Sequence, residues 1–66
     1  MQIKLNGATE LVPDNSTVQD VLAAKKLPEA TAIIVLNDNI VRREEWQNLR
    51  LNSDDQLEVI RIIGGG

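Results

Sequence analysis

Residues 2–12 read Gln2-Ile3-Lys4-Leu5-Asn6-Gly7-Ala8-Thr9-Glu10-Leu11-Val12, and this is the pattern of a β-hairpin. Ile3 and Leu5 alternate with Gln2, Lys4 and Asn6, the two-residue period of a strand with one face in a core. Asn6-Gly7 supplies two residues that tolerate the positive φ angles of a type I′ turn. The return strand is expected from Ala8 to about Val12. Leu11 and Val12 are adjacent and both apolar, so they cannot both face inward and the parity of this strand stays open. Pro13 lacks an amide hydrogen and ends the ladder.

Asp14-Asn15-Ser16-Thr17 leads into a helix. Ser16 with Gln19, or Thr17 with Asp20, could form the capping box; Thr17 is the better choice because it puts Asp20 in the first turn, where its charge suits the helix dipole. Lys25 and Lys26 are then expected in the last turn. Val18, Val21 and Leu22 share one helical face, which is expected to pack across the sheet. The helix should stop before Pro28, with Leu27 closing that end.

Ala32 to Leu36 is apolar on both faces, which indicates a central strand. Asn37, Asp38 and Asn39 supply a turn, and Ile40-Val41 a short return strand. Arg42 to Trp46 is a charged segment ending in the only aromatic residue of the chain. Trp46 reads as a lid over the core, since an indole buries a large apolar area. The arginines and glutamates beside it read as a solvated face. Asn52 to Gln56 is a further turn, and Leu57 to Ile63 the last strand. Leu57 and Val59 would face inward, with Ile60 and Ile62 on the opposite face. Ile33 and Val35 would extend that outer patch while Ile34 and Leu36 point to the core. Leaving a branched side chain in water forgoes about 1.5–3 kcal/mol, so a contiguous set marks a docking surface, with a contact between two copies as the competing use.

A hairpin, one helix and a return to the sheet describe an α+β domain whose helix covers one face of a mixed sheet of four to five strands, the first and last strands running parallel. With 66 residues there is one domain, near the size at which folding hides only about 60% of the unfolded surface. Histidine and cysteine are both absent, which removes the usual zinc sites, disulfides and nucleophile–base pairs. A self-sufficient enzyme is not expected. A net charge of −3 and a single aromatic residue argue against nucleic acid as a partner. No apolar stretch approaches the ~20 residues that span a bilayer, and a cytoplasmic protein, monomeric when free, is expected.

The chain closes on Gly64-Gly65-Gly66. Glycine has no Cβ, so such a tail enters a slot that any side chain would block and places an unhindered carboxylate at its tip. The domain is accordingly divided into a folded body, residues 1–63, and a flexible tail, residues 64–66. The competing reading is a frayed end with no role.

Met1-Gln2-Ile3 with Asn6-Gly7, Thr17-Val18 before Leu22, Asn37 through Val41 followed by Arg43-Glu44 and Trp46, and Asp55 through Ile63-Gly64-Gly65-Gly66 together resemble the ThiS family of sulfur carriers, which has the ubiquitin-like β-grasp fold. Arg42 stands where that family commonly has proline, and Asp54 where it commonly has a turn glycine. The resemblance implies that Gly66 is the sulfur-carrying residue, adenylated and then converted to a thiocarboxylate, with Gly64 and Gly65 presenting it to partner active sites. It implies a ThiF-type adenylyltransferase and a ThiG-type thiazole synthase as partners. No cofactor would be bound by the chain itself; ATP and Mg²⁺ would be used by the activating partner, since no phosphate-binding loop is present here. Ile33, Val35, Ile60 and Ile62 would form the docking face. A molybdopterin-synthase small subunit, a ubiquitin-like modifier and a plain interaction domain are the alternative readings.

Overall fold

Asn6 (φ 50°) and Gly7 (φ 83°) both occupy the left-handed region, so the turn between the first two strands has the geometry expected of its sequence. The computed structural model describes residues 1–61. In chain order these form β1 (Gln2–Leu5), β2 (Ala8–Leu11), α1 (Val18–Ala24), a 3₁₀ turn (Glu29–Thr31), β3 (Ala32–Leu36), β4 (Asn39–Val41), a second 3₁₀ turn (Arg43–Glu45) and β5 (Gln56–Arg61).

The five strands form one mixed sheet in the order β2-β1-β5-β3-β4. β5 lies at its centre, parallel to β1 and antiparallel to β3. Ile3 and Leu5 of β1, Ala32 and Ile34 of β3, Val41 of β4 and Leu57 of β5 are buried on the inward face, in one cluster with Val18, Val21 and Leu22 of α1. Trp46 and Leu51 complete that cluster. Trp46 is only 2% exposed, and its indole Nε1 donates to the Val41 carbonyl over 3.2 Å. It is the expected lid, with the Arg43 guanidinium 4.7 Å from the ring centroid on its outer side.

The β2 register resolves the parity left open by the sequence. Leu11 pairs with Gln2, an outward position, and is largely exposed. Val12 lies beyond the strand, donates its amide to Met1 O over 2.9 Å and is partly buried against the core.

Thr17 caps α1 through a full capping box: its hydroxyl accepts from the Asp20 amide at 3.1 Å and its own amide donates to Asp20 Oδ2 at 3.0 Å. Ser16 instead donates to the Pro13 carbonyl. The other end departs from expectation. Lys25 and Lys26 are not in the last turn, because the helix stops at Ala24 and no basic residue lies in that turn. The Leu27 amide bonds back to Leu22 O at 3.0 Å and the Lys26 amide to Ala23 O at 3.2 Å, the paired bonds of a Schellman stop. Lys26 therefore sits at φ 54°, the left-handed position usually given to glycine. Lys25 turns away to meet Glu10 at 2.7 Å. Leu27 closes the end as expected and packs against the core.

Between β3 and β4 only Asn37 (φ 48°) and Asp38 (φ 70°) form the turn. Asn39 already pairs with Leu36 as the first residue of β4. Asp54 takes φ 69°, so an aspartate fills the left-handed place where a glycine is common in the similar family. Arg42 has φ −67°, an angle that proline also holds.

Candidate functional site

Strand alternation puts the residues between the inward ones on the outer face of the sheet. The β3–β5 register sets Ile33 directly opposite Ile60 and Val35 opposite Glu58, while β4 sets Ile40 opposite Val35. Ile33, Val35, Ile40 and Ile60 thus form a single apolar patch across three strands. Ile33 and Val35 are half-buried, Ile60 is 47% exposed and Ile40 74% exposed. The outer face was expected for Ile33, Val35 and Ile60, and the inward face for Ile34, Leu36, Leu57 and Val59; the structure places each of them so. Adjacent cross-strand apolar pairs shield one another and are worth about 0.2–1 kcal/mol each, which accounts for the half-burial of the two β3 residues.

Ile40 was not among the expected patch residues. The signal was present: a two-residue turn at Asn37-Asp38 fixes Leu36 opposite Asn39 and so Val35 opposite Ile40, whereas a turn extending through Asn39 leaves the register undefined. Leu11, the other exposed large apolar residue among the described residues, is separated from the patch by β1, whose Lys4 pairs with Gln56 of β5. The rim on that side is polar.

Ile62 and the tail residues Gly64, Gly65 and Gly66 lie outside the described residues. What the described residues fix is the strand that leads to them. β5 is paired with β3 along its whole described length beyond Gln56 and with β1 only at Gln56 and Leu57, so its described end at Arg61 is held from the β3 side. Asn6 adds a further tie, its Oδ1 accepting from the Val59 amide at 2.8 Å.

Among the described residues no three His, Cys, Asp or Glu side chains gather into a metal site. The buried polar residues there are Ser16 and Thr17, and both hydroxyls are engaged in the loop and helix cap. No helix is long and apolar enough to cross a membrane among the described residues. The described residues thus present an exposed apolar patch beside the strand that leads to the glycine terminus.

Comparison with known proteins agrees with this geometry. A family model described as the ThiS family matches residues 2–66. The chain is 31% identical to the sulfur carrier protein ThiS of Bacillus subtilis, over 97% of this chain and 98% of that one. It is 30% identical to the sulfur carrier protein ThiS of Escherichia coli over the full length of both. The fold superposes on the crystal structure of the thiamine biosynthesis protein ThiS from Geobacter metallireducens with a TM-score of 0.86 and 26% identity, covering 100% of both chains.

Proposed function

Because the chain belongs to the ThiS family, the sulfur carriers of thiamin biosynthesis, we propose that the carboxylate of Gly66 is the group on which the sulfur travels. The observation that supports this most is the extent of the family match: it runs through residue 66, so the glycine terminus belongs to the shared pattern. A free carboxylate is a poor electrophile. In the proposed cycle a ThiF-type adenylyltransferase directs a Gly66 carboxylate oxygen to the α-phosphorus of ATP, pyrophosphate leaves, and an acyl-adenylate forms. The terminal sulfur of a persulfide-class donor then attacks the Gly66 carbonyl carbon, AMP departs with the bridging oxygen, and a thiol cleaves the S–S bond of the acyl disulfide so formed, ending as a disulfide with the donor and freeing the thiocarboxylate. The resulting thiocarboxylate passes its sulfur to a ThiG-type thiazole synthase. ATP and Mg²⁺ are held by the adenylating partner, and this chain acts as its co-substrate.

Division of labour follows from the chemistry present. The body has no histidine or cysteine, so proton transfers and leaving-group stabilisation belong to the partners. Gly64 and Gly65 admit the tip to a narrow channel. The patch of Ile33, Val35, Ile40 and Ile60 seats the body on those partners.

Intact-mass measurement after incubation with the adenylating enzyme, ATP and a sulfur donor tests the reading. The expected result is replacement of one oxygen by sulfur on the whole chain, and none on a chain lacking Gly66, whose stability changes by less than about 0.5 kcal/mol. Covalent attachment to other proteins would refute it in favour of a modifier. Ile60→Asp is expected to weaken adenylating-enzyme binding roughly tenfold, the scale of one interface anchor, with the fold retained; unchanged affinity would remove the patch from the docking surface.

A further inference from the structure

β5 outruns its neighbour. The Lys4 amide donates to Asp55 O and the Asn6 amide to Leu57 O, each at 2.9 Å, and there β1 turns away into the hairpin. The next group on that side, the Val59 amide, finds no strand and is met instead by the Asn6 side chain at 2.8 Å. Residues 55, 57 and 59 therefore all address the β1 side, and alternation assigns Arg61 to it as well. On the opposite side Ile60 and Glu58 face Ile33 and Val35 of β3. The Val59 carbonyl and the Arg61 amide and carbonyl are thus left along an edge that β1 does not reach. A shallow groove lined by Lys4, Asn6, Gly7, Gln56, Leu57 and Glu58 lies where β1 gives out.

We infer that this short edge of β5 is a strand-addition site, and that its occupant is an extended segment of the enzyme that adenylates the terminal carboxylate. This rests on the carrier reading above and adds how the tail is gripped. Reach argues for that occupant. Five residues separate Arg61 from the end of the chain, spanning at most about 16–18 Å. Whatever encloses the carboxylate during adenylation must therefore stand close to the β5 edge. The glycines of the tail offer no side chain to read, so recognition there falls to main-chain hydrogen bonds, which an added strand supplies in register. A second copy fits less well, because each chain carries a net charge of −3 and like-charged copies repel.

Amide hydrogen exchange, followed residue by residue, reads the edge directly. In the free chain the Ile60 amide, on the β3 side, is expected to exchange slowly and the Arg61 amide fast. Saturation with the adenylating enzyme should slow Arg61 at least tenfold; an unchanged Arg61 rate in the complex overturns the proposal. Arg61→Pro removes only the open-side donor and should raise the KM for this chain in ATP-dependent pyrophosphate release at least tenfold, with the melting temperature nearly unchanged. An unchanged KM overturns the strand-addition site while leaving the carrier reading in place. A wild-type chain that the enzyme does not adenylate refutes both. Should Arg61→Pro fail to fold, the exchange measurement on the wild-type chain decides. Arg61 protection that appears in the free chain as its own concentration rises would assign the edge to a second copy and refute the enzyme as occupant.

Discussion

Replacing Asn6 separates two contributions that the structure combines at one residue. Its backbone holds φ 50°, and its side-chain oxygen accepts from the Val59 amide 53 positions away at 2.8 Å. Asn6→Asp retains the acceptor and a tolerated left-handed residue, so the loss should stay below about 0.5 kcal/mol. Asn6→Gly keeps the turn but removes the acceptor, costing about 1 kcal/mol for one hydrogen bond. Asn6→Ala removes the acceptor and adds a left-handed penalty of about 1 kcal/mol, for a total near 2 kcal/mol. For a domain of this size each kcal/mol lowers the melting temperature by roughly 4–8 °C, so the expected order is Asp, then Gly, then Ala, with Ala about 8–16 °C below wild type. Trp46 is the sole aromatic residue and is buried, so its fluorescence reports the transition. An Asn6→Gly variant as stable as wild type would show that the side-chain bond contributes nothing. An Asn6→Ala variant no worse than Asn6→Gly would show that the backbone angle carries no cost.

Trp46→Ala removes a side chain that is 98% buried, the complement of its 2% exposure, at a cost of about 3–5 kcal/mol. A chain of 66 residues holds only about 3–10 kcal/mol in total, so circular dichroism should show a largely unfolded or strongly destabilised protein at room temperature, and a cooperative melt near the wild-type temperature would contradict its place in the core. Lys26→Gly should stabilise the protein by up to about 1 kcal/mol, by relieving a left-handed lysine at the helix stop; a lower urea midpoint would mean that this angle is not a costly one.

Local sequence carried much of this fold because its signals are short-range. Asn6-Gly7 sets the first turn, Thr17 with Asp20 sets the helix start, and the alternation of Ile3 and Leu5 sets the inward face; each depends on residues within a few positions. The unread parts depend on distant partners or on a choice between near-equal local options. Nothing near Lys26 marks it as the residue to turn left-handed, since the Schellman bonds reach back to Leu22 and Ala23 and a glycine is missing. Leu11 and Val12 were indistinguishable until pairing with Gln2 fixed one outside. Ile40 joined the patch through a register set by whether Asn39 belongs to the turn or the strand. The bond from Val59 to Asn6 crosses nearly the whole chain and leaves no mark in either neighbourhood. The glycine terminus lies outside the described residues, and the chemistry and partners proposed for it rest on composition and family likeness.

The strand order β2-β1-β5-β3-β4 also bears on how the protein is made. Two hairpins, β1 with β2 and β3 with β4, are complete well before the ribosome reaches Gln56, yet they have no contact with each other through the sheet until β5 slides between them. The nascent chain is thus two half-sheets with apolar faces awaiting a keystone, a state prone to aggregation. Because β1 must pair with a strand more than fifty positions later, closure is a slow, non-local step. A chain halted before that keystone could not close the sheet, so the fold is completed only as the last strand is made.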